Sequence, residues 1–126
     1  MASIGCRRRS DGGGRGDREN WQSACRFIET LVSASLGISV ADLRAEKRGR
    51  ASAAFARQTA MYLAHVHLGL SLSLVGESFG RDRTTVAHAC ACVEDCRDDP
   101  KFERILSCLE AALDRWRDGF LTLEAA

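Results

Sequence analysis

Three features of this 126-residue chain predict an all-α fold of about six helices. Apolar residues recur at three- and four-residue steps over most of its length, the spacing that gathers side chains on one face of a helix. There is a single proline, and no long run of β-branched residues argues for a strand. Ser, Asp and Gly stand where helices of ordinary length would begin and end.

Residues 1–19 are rich in Gly and Arg and almost free of large apolar groups. Such a stretch buries too little surface to offset its ordering entropy, so a disordered arm is expected there. Its simple reading is a solvated tail; the sharper one is an auxiliary arm adding phosphate or minor-groove contacts. Helical spacing starts at Trp21 and continues through Cys25, Ile28, Leu31, Val32 and Leu36, with Gly37 as a C-terminal cap. Ser39 is placed to cap a short helix through Leu43. The run Lys47-Arg48-Gly49-Arg50 breaks the pattern as a basic loop. Ser52 can open the next helix, whose Phe55, Thr59, Tyr62, Leu63 and Val66 share a face until Gly69. Ser71 caps a helix carrying Leu72, Val75 and Phe79, and Gly80 ends it. Asp82 caps another, with Val86, Ala89, Cys90 and Val93 facing inward. Asp99-Pro100, a cap followed by proline at the first helical position, opens the last helix. Its stripe is Phe102, Ile105, Leu106, Leu109, Leu113 and Trp116, and its end is expected near Gly119. The folded domain is therefore expected over residues 20–119, with 120–126 as a tail.

Composition narrows the function. Apolar residues at 45% and charged residues at 28% are those of an ordinary globular chain of one-domain size. No apolar stretch approaches the roughly 20 residues of a spanning helix, and Arg7-Arg8-Arg9 is not followed by the apolar segment of a secretory signal. The expected setting is the cytoplasm, at the nucleoid, with the six cysteines reduced. No C-x-x-C pair occurs, and Cys25, Cys90 and Cys108 fall on apolar positions. The net charge of +1 hides an asymmetry: Met1 to Leu70 holds 11 basic and 6 acidic residues, Ser71 to Ala126 holds 7 and 11. That division suits a protein with one face toward an anionic partner.

Leu72 to Phe79 and Arg83 to Cys96, joined by a tight glycine turn, have the helix-turn-helix arrangement. In that geometry the start of the second helix enters the major groove. Arg83 can reach a guanine edge or a phosphate, and Thr84 and Thr85 a thymine methyl or a phosphate. Asp82 either caps the helix or accepts from a cytosine amino group. His88, Cys92 and Cys96 recur at four-residue steps along one helix side, but no fourth ligand accompanies them, so no metal is assigned. His65 and His67 read as surface or boundary residues. Asp95, Asp98 and Asp99 read as a solvated helix end. With no paired carboxylates and no Ser-His or Cys-His set, the chain is not expected to be an enzyme or to need a cofactor. It also holds no G-x-x-x-x-G-K-[ST] phosphate loop, so no nucleotide is expected.

The segments carrying most information are Val40-Ala41-Asp42-Leu43, Lys47-Arg48-Gly49-Arg50, Ala56-Arg57-Gln58-Thr59-Ala60-Met61, Ser71 to Gly76, and Phe79-Gly80-Arg81-Asp82-Arg83-Thr84-Thr85-Val86-Ala87-His88-Ala89-Cys90. In one collinear register, from Ile38 to about Leu113, they resemble the C-terminal duplex-DNA-binding domain of the bacterial replication initiator DnaA, a helix-turn-helix of the TrpR type. The last block is close to that family's signature F-G-G-R-D-H-T-T-V-x-H-A. The resemblance implies that Arg50 enters the minor groove and that Arg57 and Gln58 hold phosphates. It implies that Lys47 and Arg48 follow the backbone and that Asp82, Arg83, Thr84 and Thr85 read bases. His88 matches the family histidine, packed or facing a phosphate.

Departures from the pattern have consequences of their own. Arg83 replaces the usual histidine, one glycine of the Gly-Gly pair is absent, and Phe55-Ala56 stands where Arg-Pro is common. Ala91 and Cys92 occupy positions that are often basic. Fewer phosphate contacts imply weaker binding, a shallower salt dependence and a preferred site of its own. The expected protein is a stand-alone domain without the initiator's ATPase, binding duplex DNA as a transcription regulator or a modulator of replication initiation. The competing expectation is an interaction module of little DNA affinity that meets a protein partner through the C-terminal helix, at Phe120 and Leu121.

Overall fold

The first backbone N–H groups of a helix have no partner inside it, and here the side chains just ahead of four helices supply one. Ser39 accepts from the Asp42 N–H at 3.1 Å, Ser71 from the Leu74 N–H at 3.1 Å, Asp82 from the Thr85 N–H at 2.7 Å and Asp99 from the Lys101 N–H at 3.1 Å. The computed structural model describes residues 15–45 and 51–125, with side chains over 20–45 and 51–119. Its elements are α1 (Arg15–Leu36), α2 (Val40–Arg44), α3 (Ala51–Tyr62), a π-helical turn (Leu63–His67), α4 (Leu72–Phe79), α5 (Arg83–Cys96) and α6 (Pro100–Ala125). Among the described residues there is no strand, and no helix is long and apolar enough to cross a membrane. The all-α expectation therefore holds.

Four local expectations are corrected. α1 begins at Arg15, ahead of Trp21, because each added residue gains a backbone bond once a packed segment has nucleated the helix. α3 starts at Ala51, which places Ser52 inside the first turn rather than before it. α6 passes through Gly119 to Ala125; among the described residues only Gly37, Gly69 and Gly80 take positive φ, and a glycine that stays helical does not end a helix. Val66 is 41% exposed, because the π-turn, closed by the Leu68 N–H on the Leu63 carbonyl at 3.0 Å, shifts the α3 stripe off its 3.6-residue phase.

Burial gathers on α3. Ala53, Ala56, Thr59, Ala60, Met61 and Tyr62 are all buried, and α1 and α5 pack along it. Alanines at these positions allow close approach of the neighbouring helices. Around this axis lie Cys25, Ile28 and Val32 of α1, Leu43 of α2, Val75 of α4, Val86, Ala89 and Val93 of α5, and Phe102, Leu106, Leu109 and Leu113 of α6. Two ring pairs seat α6: Phe27 on Trp116 and Phe55 on Phe102, each at 4.9 Å between centroids. Burial pushes the Cys90 thiol up to about 11 and raises that of Cys25, consistent with small hydrophobes. Cys108 is exposed, however; the inward stripe of α6 is narrower than expected and passes it by.

Charged groups lock the same helices. Glu29 of α1 is buried and takes Arg44 of α2 in a two-point pair, Nε to Oε2 at 2.6 Å and Nη2 to Oε1 at 3.1 Å. Arg97, just after α5, donates to both carboxylate oxygens of Glu103 at 2.6 and 2.7 Å and to Glu110 at 3.0 and 3.2 Å. Its Nη1 also reaches the Tyr62 hydroxyl at 3.0 Å, which in turn donates to Glu94 at 2.6 Å. One guanidinium thus joins α3, α5 and α6. His65 and His67 lie at the boundary, half-buried, and both are engaged: His65 meets the Leu70 carbonyl at 2.7 Å, and His67 meets Asp114 of α6 at 2.8 Å.

Burial, with the Glu94 hydrogen bond adding to it, pushes the Tyr62 phenol from 10.0 to about 12. The folded state holds this proton more tightly than the unfolded chain. Its contribution to stability is complete below pH 10 and is lost as the pH rises through about 12. Tyr62 is the chain's one tyrosine, so near-ultraviolet tyrosinate absorbance reports it directly. The native midpoint is expected at about 12, returning to about 10 in urea. A native midpoint near 10 would exclude the buried hydroxyl pair.

Candidate nucleic-acid interface

A helix-turn-helix needs its two helices close enough for the turn to be tight, and here one glycine permits it. Both the Gly80 and Arg81 N–H groups converge on the Gly76 carbonyl, the Arg81 bond at 2.9 Å. A Cβ on Gly76 would sit inside contact distance of the Arg81 carbonyl oxygen, a backbone atom with no freedom to swing away. Gly80 completes the turn at φ 66°, in the left-handed region that suits glycine.

The turn delivers Asp82 as the cap of α5. Its carboxyl lies below the usual carboxylate range because the N–H and hydroxyl of Thr85 bond its charged form. Capping is thus the role the geometry gives Asp82. With Val86, Ala89 and Val93 buried on the inner side, the opposite side of α5 is open. Arg83, Thr84, Thr85, Ala87, His88 and Ala91 are all exposed on it. Arg83 forms no ion pair among the described residues, so its guanidinium is available to a ligand.

Further along, His88 Nε2 lies 3.5 Å from Cys92 Sγ, while Cys96 is half-buried against the core. No group of three side chains able to hold a metal converges among the described residues. Lys47, Arg48 and Arg50 lie outside the described residues. Gln58 is half-buried in the second half of α3.

Arg57 is placed unlike a side chain reaching for a phosphate. Its Nε donates to the Leu43 carbonyl at 2.8 Å, and its Nη2 to the carbonyls of Ala45 at 3.2 Å and Asp42 at 3.5 Å. Arg81 joins it: Nη2 reaches the same Ala45 carbonyl at 3.3 Å and Nη1 the Gly80 carbonyl at 3.1 Å. Burial, and then the neighbouring Arg81 charge, lower the Arg57 guanidinium from its ordinary value. Sequence reasoning singled out Arg57 for another purpose and passed over Arg81. The available signal was its place as the one long polar side chain inside the turn.

Residues 25–93, from the middle of α1 to near the end of α5, match the family model of the bacterial dnaA protein helix-turn-helix. The chain belongs to that family. Its relatives include the chromosomal replication initiator proteins DnaA of Symbiobacterium thermophilum, 40% identical over 88 residues, and of Azoarcus sp. strain BH72, 42% identical over 79. That of Microcystis aeruginosa is 44% identical over 65. These alignments cover 68%, 62% and 51% of this chain but only 19%, 16% and 14% of the relatives, so the chain spans less than a fifth of their length. The chain therefore carries the DNA-binding helix-turn-helix of the DnaA C-terminal domain, a binding module and not a catalytic one. α6 lies beyond the segment matched to the DnaA model.

Gly76→Ala is expected to destabilise the fold by about 1–3 kcal/mol, because the turn must open to admit the methyl group. Urea unfolding checks it, as a lower midpoint at unchanged slope. An unchanged midpoint would mean that α4 and the turn can part freely.

Proposed function

We propose that this protein binds duplex DNA sequence-specifically with the exposed start of α5. The observation that carries the reading is the outward set of Arg83, Thr84 and Thr85, held by the Asp82 cap and backed by the buried Val86, Ala89 and Val93. In this reading Arg83 reads a guanine edge in the major groove, where its forked donors match two acceptors. Thr84 and Thr85 contact a thymine methyl or adjacent phosphates. Arg50 enters the minor groove, while Lys47, Arg48, Gln58 and His88 follow the phosphates. The relatives are named chromosomal replication initiators, and the proposed role is to occupy sites of that type, as a transcription regulator or a modulator of replication initiation.

A second reading takes the chain as an interaction module with little DNA affinity. Ile105, a large apolar side chain exposed on α6, supports a contact with another protein. The side chains of Phe120 and Leu121 lie outside the described residues.

Selection of bound duplexes from a random pool, followed by anisotropy titrations, separates the two. A recovered motif is expected, with affinity falling linearly in log salt. Arg83→Ala is expected to cost about 1–3 kcal/mol on that motif and to relax preference at one base position. Thr84→Ala should weaken the same motif less. No enrichment, or no binding to any duplex at low salt, favours the interaction module.

A further inference from the structure

α2 has five residues, too few to be stable alone, and its last carbonyls have no helical partner. Its exit at Ala45 leads into the basic segment, and α3 begins at Ala51. Two arginines from different elements supply the missing donors: Arg57 from α3 to Asp42, Leu43 and Ala45, and Arg81 from the α4–α5 turn to Ala45. Both meet on the Ala45 carbonyl oxygen, at 3.2 and 3.3 Å. Bringing two guanidinium charges together is unfavourable, and the carbonyl dipoles between them offset it. Side chains serving only as phosphate ligands would keep these donors turned to solvent; here Arg57 commits its Nε and Nη2, and Arg81 its Nη1 and Nη2, to backbone carbonyls.

We propose that Arg57 and Arg81 are positioning residues, a clamp that sets the exit of α2 at a fixed distance from the first turn of α5. The inference rests on the two-groove reading above and deepens it. The separation of major and minor grooves is set by the duplex, so a protein engaging both must hold its two contact elements in matching register. Arg81 lies one residue before the Asp82 cap, so the Ala45 carbonyl and the start of α5 move as one unit. Specificity then depends on two residues that read no base.

The clamp is tested with Arg57→Lys, Arg81→Lys and the double variant, all of which keep the charge but lose the planar fork. In the DNA-free protein, the Leu43 and Ala45 amides are expected to exchange about tenfold faster, with the amides of Val93 and Leu106 unchanged. On the selected duplex, guanine N7 protection in the major groove should persist while competition with netropsin for the minor groove is lost. Affinity should fall about tenfold at an unaltered salt slope, because no phosphate charge pair is removed. The double variant should lose less than the sum of the two single ones, since both residues share the Ala45 carbonyl. Parent-like exchange at Leu43 and Ala45 in both single variants overturns the clamp. So does a charge-removing Arg57→Gln variant that lowers the salt slope by about one with netropsin competition retained, which marks a plain phosphate contact. If the parent protects neither groove, the two-groove reading fails by itself, and the amide exchange still decides whether the clamp exists.

Discussion

The burial of α3 is the constraint on which the other helices depend. Its alanines at 53, 56 and 60 leave little side-chain volume between backbones, so α1 and α5 approach closely on either side. Every neighbour is then fixed relative to one axis: α5 through Val86, Ala89 and Val93, α1 through Cys25, Ile28 and Val32. The same helix carries Arg57 at its middle and leads into the π-turn with His67, so it is tied to the end of α2 on one side and to α6 on the other. A larger residue at Ala56 or Ala60 would act on several interfaces at once, since packed interiors do not absorb added volume locally.

Around this apolar axis the polar groups divide into two kinds. Glu29 with Arg44, and Arg97 with Glu103, Glu110 and Tyr62, pair ions across helices. Such pairs contribute little net stability because desolvation offsets most of the attraction, but losing one partner of the buried Glu29 is costly. Their effect is on geometry, since a planar guanidinium bonded at two or three points admits few helix orientations. The second kind caps backbone: Ser39, Ser71, Asp82 and Asp99 at helix starts, Arg57 and Arg81 at the end of α2. Here the gain is the avoided cost of stranded N–H and C=O groups.

What was legible in the sequence was what depends on near neighbours. Cap residues lie one to three positions from the groups they bond, so Ser39, Ser71, Asp82 and Asp99 were readable from spacing, as were the glycines at 37 and 80. The fold class followed from periodicity, and the family from the collinear blocks ending in Arg81-Asp82-Arg83-Thr84-Thr85. What was not legible depends on distant partners. Arg57 bonds carbonyls 12 to 15 residues away and Arg81 one 36 residues away, and no periodicity encodes either. Cys108 and Val66 were misplaced because helix phase drifts, by the π-turn in one case and by a narrower stripe in the other. The parts assigned to Lys47, Arg48 and Arg50 rest on resemblance alone.

The Asp82 carboxylate that builds the start of α5 also places a negative charge at the end of the protein proposed to meet a polyanion. Its hydrogen bonds with Thr85 hold it ionised at neutral pH, so it does not neutralise itself on approach. In the proposed complex any encounter that brings this tip against a phosphate is repelled, and only the register that sinks it between base edges relieves the penalty. Under the proposed function the residue that begins the helix would then act as an electrostatic filter, weakening adhesion to arbitrary duplex more than to the matched site.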